Sequence, residues 1–97
     1  MQYQQIVQLP DTLFVDVRTA MEFNMYKAEG SINIPMDQIP AQWKNIEGIG
    51  QRNVVFFCRS GNRSGQVVSY LKQLGVANIY NGGSVEDVIN VLVRKSA

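Results

Sequence analysis

Histidine is absent from the 97-residue sequence. That removes Ser-His-Asp and Cys-His catalysis and every histidine-containing zinc site, so any enzyme built on this chain works without an imidazole base. Cysteine occurs once, at Cys58, so no internal disulfide staples the fold and stability has to come from a packed core. Excess charge is also missing. Nine Lys and Arg against eight Asp and Glu leave a net charge of +1, which argues against a nucleic-acid face or a polybasic membrane anchor. No apolar run reaches the ~20 residues of a membrane span. The opening Met1-Gln2-Tyr3-Gln4-Gln5 lacks the basic and apolar regions of a signal peptide. The expected compartment is the cytoplasm, or the periplasm if a leader has been removed; a lone thiol fits either.

What is present suits one compact domain over residues 1–97, with a hydrophobic fraction of 45% that excludes general disorder. Short β-branched and aromatic runs alternate with helical patterns. Thr12–Val17 and Asn53–Phe57 read as buried strands, with Ala77–Tyr80 and the shorter Ile32–Ile34 as further candidates. Thr19-Ala20-Met21-Glu22 is a capping box that opens a short helix containing Phe23. Asp37 is placed to cap a second helix with Ile39, Trp43 and Ile46 on one face. Ser64 to Leu74 carries Val67, Val68, Leu71 and Leu74 at helical spacing, and Gly75 sits where a left-handed C-cap belongs. Ser84 begins a last helix with Glu86 and Asp87 in its first turn and Arg94 and Lys95 at its far end. Met21, Met25 and Met36 read as core or pocket lining, and Trp43 as core. The alternation predicts an α/β fold, a central and mainly parallel sheet with helices on both faces.

In such sheets sites form at the carboxyl ends of strands, and Cys58 follows the strongest strand and precedes a helix. A turn holding Gly61 and Asn62, both tolerant of positive φ, can point successive N–H groups inward and form an anion-binding nest at a helix N-terminus. The same features favour a thiolate, as do Arg59 and Arg63 if they turn toward the sulfur; cysteine pKa values in such settings fall to roughly 3.5–7.5. The competing reading is an inert core thiol at a strand end. Two arginines are poor company for one, and the compact Cys58-Arg59-Ser60-Gly61-Asn62-Arg63-Ser64 favours a nucleophile.

That loop resembles the active-site loop of single-domain rhodaneses. Asp16-Val17-Arg18 with Glu22-Phe23 is similar to the family's first signature, and Gly30-Ser31-Ile32-Asn33-Ile34-Pro35 to its second. Leu74-Gly75 through Asn81-Gly82-Gly83 is similar to the segment after the active-site helix, so the resemblance spans roughly residues 12 to 90. Two departures lie outside the Cys loop: Tyr26-Lys27-Ala28 stands where many members have Gly-His-Ile, and Ser84-Val85-Glu86 lacks the usual aromatic.

The resemblance implies a rhodanese-like domain and a thiosulfate sulfurtransferase working through a Cys58 persulfide, without cofactor or metal. The donor would be a small sulfur anion such as thiosulfate, and the acceptor cyanide or a thiol, including that of a thioredoxin-like protein. Arg59 and Arg63 would bind the donor anion, the loop residues Ser60, Gly61 and Asn62 would line its site, and Ser64 would either donate a hydrogen bond there or cap the next helix. Asp16 and Arg18 would lie behind the site, with a loop-fixing ion pair the favoured role. Two alternatives stand beside this. Cysteine phosphatases and arsenate reductases use a longer cysteine-to-arginine spacing than the four residues between Cys58 and Arg63. A persulfide carrier or non-catalytic binding module would keep the fold without free turnover.

Overall fold

The apolar runs form the sheet. A computed structural model describes residues 2–96, leaving Met1 of the amino-terminal stretch outside. Strands β1 (Leu13–Asp16), β2 (Ile32–Asn33), β3 (Val54–Cys58) and β4 (Ile79–Ser84) pair in the order β2-β1-β3-β4, every pair parallel. Each crossover therefore needs a connecting layer, supplied by α2 (Ala20–Met25), α3 (Ile39–Gln42) and α4 (Asn62–Gln73), while α1 (Tyr3–Ile6) precedes β1 and α5 (Val85–Ser96) follows β4.

Side-chain alternation along the strands sorts the core into two layers. Val15, Val17, Val54, Phe56, Cys58 and Ile79 face α4 and the segment around Ile39 and Ile46. Phe14, Val55 and Phe57 face Val85 and Val88 of α5, with Tyr3 of α1 packed alongside. All five residues of β3 are buried because helices cover both of its faces. The continuous run Val54-Val55-Phe56-Phe57 is thus the mark of a central parallel strand.

Local departures from the sequence reading have physical causes. Residues 36–45 do not form one helix capped by Asp37. They form a 3-10 turn (Met36–Gln38), the single turn α3 and a second 3-10 turn (Trp43–Asn45). Pro40 lacks the N–H that would continue a ladder from Met36, so the helix restarts at Ile39. Its apolar face survives: Ile39 and Ile46 are buried and Trp43 packs against them. Helix α4 begins at Asn62, two residues before the expected Ser64, while Gly75 does adopt the left-handed conformation after it. Strand β4 runs on through the glycines to Ser84, whose Oγ accepts the Asp87 N–H as the cap of α5. Gly82 permits this: a Cβ there would lie 2.6 Å from Val55 Cγ1. Helix α1 was not anticipated, its four residues being too few to show a period. Met21 and Met25 are not core; they are 76% and 75% exposed on α2, whereas Met36 is partly buried.

Phe56 sits at the centre of the larger layer with no exposed surface. Phe56→Ala is expected to cost about 3–5 kcal/mol of unfolding free energy, the range for aromatic truncation in a close-packed core. Urea denaturation followed by Trp43 fluorescence checks it.

Candidate active site

Strand β3 ends at Cys58 and α4 starts at Asn62, so the chain reverses through Arg59, Ser60 and Gly61. Gly61 makes this turn at φ 96°, and a Cβ there would come within 3.3 Å of the Gly83 Cα. Only glycine meets both demands without strain. The turn aims the Gly61 N–H at Cys58 Sγ, 3.0 Å away. Ser64, on the first turn of α4 and fully buried, places its hydroxyl 3.5 Å from the same sulfur. It therefore faces the cysteine and does not cap the helix.

Cys58 has no exposed surface. Burial pushes its thiol pKa up, but the Ser64 hydroxyl and the backbone N–H groups of Ser64, Ser60 and Gly61 outweigh burial and bring it below the ordinary value. Hydrogen bonding to the charged form does this without an imidazole.

The two arginines occupy different settings. Arg59 is exposed on the turn. Arg63 feels the charge of Cys58, but its guanidinium grips Glu22 of α2 in a bidentate pair, Nη1 to Oε1 at 2.7 Å and Nη2 to Oε2 at 3.1 Å. The Arg63 pair, with help from Thr19, holds the Glu22 carboxyl down at about 2. Glu22 also accepts the Thr19 N–H at 3.0 Å, completing the capping box of α2. One carboxylate thus ties α2 to the start of α4. Ser60 and Asn62 are exposed on the turn, beside Gly61.

Asp16 and Arg18 form a buried pair behind the loop, with Nη2 to Oδ2 at 2.7 Å and Nε within 3.0 Å of both carboxylate oxygens. Arg18 also donates to the Tyr26 carbonyl and lies 4.9 Å over the Tyr26 ring. Asn33 Nδ2 donates to the carbonyls of Asp16 and Arg18. The pair fixes the turn from β1 into α2 and does not reach Cys58 by any direct hydrogen bond among the described residues. Among those residues no group of three or more His, Cys, Asp or Glu side chains is placed to hold a metal. No helix among them is long and apolar enough to cross a membrane.

Residues 2–88 match the rhodanese-like domain. The chain belongs to that family. A tRNA uridine(34) hydroxylase of Yersinia pestis is 32% identical over 91 residues, which take in 88% of this chain. The chain spans about a quarter (26%) of that relative's length. Among solved structures, SSP1007 of Staphylococcus saprophyticus superposes with a TM-score of 0.72 at 33% identity, covering 91% of this chain and 85% of that one. A rhodanese from E. coli, solved with anions, gives a TM-score of 0.72 at 25% identity, covering 78% of this chain and 89% of that one.

The site of this rhodanese-like domain includes two side chains whose place in it the sequence reading missed. Glu22 was visible as a helix cap and within the first signature, but not as the partner of Arg63. Asn81 contacts the loop from β4, donating from Nδ2 to the Gly61 carbonyl at 3.0 Å and accepting the Ser64 hydroxyl at 2.7 Å. Its position just before the glycine pair was its only signal.

The Glu22 carboxyl, held at about 2 against an ordinary 4.5, makes folding pH-dependent. A depressed carboxyl contributes stability that is complete above the unfolded value and fades as pH falls through the folded one. Unfolding free energy should therefore drop between pH 4.5 and about 2. Glu22→Gln should be less stable than the parent at pH 7 and lose less over that acid range, as measured by urea unfolding at stepped pH.

Proposed function

We propose that the protein is a sulfurtransferase that takes a sulfane sulfur from thiosulfate or a similar small anion and passes it to a thiol or cyanide. The observation that carries this reading is the single cysteine at the base of a loop whose amides and serine hydroxyl converge on its sulfur. Family membership and the likeness to a rhodanese solved with anions support it.

The chemistry balances without a cofactor. The Cys58 thiolate attacks the outer sulfur of thiosulfate, the new S–S bond forms, and the donor's own S–S bond breaks with its electron pair leaving on sulfite. The negative charge then rests on the outer sulfur of a Cys58 persulfide. The inward N–H groups of Ser60, Gly61 and Ser64 face this charge as oxyanion-hole donors face theirs. An acceptor nucleophile attacks that outer sulfur and returns Cys58 as thiolate, a two-step covalent cycle.

Arg59, exposed and on the turn, draws the donor anion toward the loop. Arg63 is bound to Glu22 and shapes the loop, with less free charge to offer. The Asp16–Arg18 pair acts as a brace. Because the sulfur has no exposed surface, the donor reaches it only if the loop moves, and the exposed Arg59, Ser60 and Asn62 are its outer residues. A compact single sulfur suits this loop better than phosphate.

A second reading keeps the persulfide carrier of the sequence analysis, a domain that holds sulfur without free turnover; the likeness to a tRNA uridine(34) hydroxylase favours a domain that works as part of a larger protein. Incubation with thiosulfate followed by intact mass and by thiocyanate production separates the two. The sulfurtransferase reading expects one added sulfur atom and steady turnover with cyanide, both lost in Cys58→Ala. An adduct without turnover supports the carrier, and unchanged turnover in Cys58→Ala ends the mechanism.

A further inference from the structure

The Ser64 hydroxyl has one proton and two acceptors. Asn81 Oδ1 lies 2.7 Å from Ser64 Oγ and Cys58 Sγ lies 3.5 Å from it. A hydroxyl donates once, so the two bonds cannot be made together. Which end of the Asn81 amide is oxygen follows from its other partners. The Gly83 N–H, 3.0 Å from Oδ1, can only donate, and the Gly61 carbonyl, 3.0 Å from Nδ2, can only accept. Gly65 leaves room for this amide, since a Cβ there would sit 3.3 Å from Asn81 Nδ2.

We propose that Asn81 is a positioning residue for Cys58: it accepts the Ser64 hydrogen bond while the cysteine is a thiol and releases the hydroxyl to donate to the sulfur when the cysteine ionises. The inference rests on Cys58 as the site's nucleophile and goes beyond the transfer reaction. In the thiol state Ser64 donates to Asn81, and its lone pair faces the S–H. On ionisation the hydroxyl rotates to Sγ, and Asn81 Oδ1 keeps the Gly83 N–H, so neither end is left unsatisfied. When a persulfide moves the charge outward, Sγ no longer needs this hydrogen bond and the hydroxyl turns back to Asn81. Asn81 therefore opposes ionisation mildly, and its strength as an acceptor sets where Cys58 titrates.

The charged and titratable groups around the cysteine are few. Arg59 and Arg63 belong to its loop and helix, Asp16 and Arg18 to the end of β1, Glu22 to α2, and Asp87 to α5 beside Gly83. Asp16 and Glu22 are engaged by Arg18 and Arg63.

The test is the pH midpoint of Cys58 alkylation by iodoacetamide, a neutral reagent that needs no sulfur donor. A failed thiosulfate assay therefore leaves it intact. Asn81→Asp and Asn81→Ala both lose the donor to Gly61, so a loosened loop would move both the same way. The proposal expects opposite shifts. The stronger carboxylate acceptor raises the midpoint and the alanine lowers it, with the two about one pH unit apart, tenfold in thiolate fraction. In a Ser64→Ala background this gap should shrink by at least half. Equal shifts in both variants, or a gap that survives Ser64→Ala undiminished, overturns the proposal. Asn81 lies at the exposed edge of the sheet, and melting curves verify folding. Asn81→Ala decides alone if the aspartate variant does not fold: its midpoint must fall with Ser64 present and hold still without it.

Discussion

Burial of a sulfur at the end of the central strand disfavours its thiolate, and the Gly61 N–H at 3.0 Å from Cys58 Sγ opposes that penalty. Burial alone would make Cys58 an inert thiol. The turn converts burial into an asset, because hydrogen bonds in a water-poor setting are electrostatically stronger than in bulk. The lowered pKa of Cys58 then comes from backbone N–H groups and one hydroxyl, with no imidazole in the chain to share the task.

The rest of the fold keeps that turn in place. Strand β3 is buried on both faces, so Cys58 starts from a position that packing fixes on either side. The close approach of Gly61 and Gly83 locks β4 against the loop, and Asn81 closes the gap with hydrogen bonds. On the other flank, Glu22 binds Arg63 and the Asp16–Arg18 pair pins the β1–α2 turn. Removing one partner of a pair as buried as Asp16–Arg18 typically costs about 3–5 kcal/mol, much of it from the charge left behind. The charges around Cys58 thus organise the loop more than they act on the sulfur.

Much of this was legible in the residues. Runs such as Val54-Val55-Phe56-Phe57 carry their own strand signal, and their alternation with helical patterns implies the parallel sheet. The Cys58–Ser64 loop declared itself by composition and by its place between strand and helix. Less legible was anything decided by tertiary partners. The pairing of Arg63 with Glu22 was not visible, because nothing in the segment around Arg63 points to a carboxylate 41 residues away in sequence. Asn81 stood out only as part of the Asn81-Gly82-Gly83 segment, since its partners Gly61 and Ser64 lie at the start of α4, well before it in sequence. Met21 and Met25 were read inward, but the short α2 buries none of its residues. Pro40 was a local signal that should have broken the expected helix.

The central claim is that hydrogen bonds, more than arginine charge, bring the Cys58 thiol below its ordinary pKa. Its most direct test is the alkylation midpoint measured at low and at high salt. Salt screens exposed charges strongly and buried hydrogen bonds hardly at all. The account predicts a midpoint below the ordinary thiol value of about 8.5 that stays put as salt rises. A midpoint at or above that value, or one that climbs with salt, would contradict it.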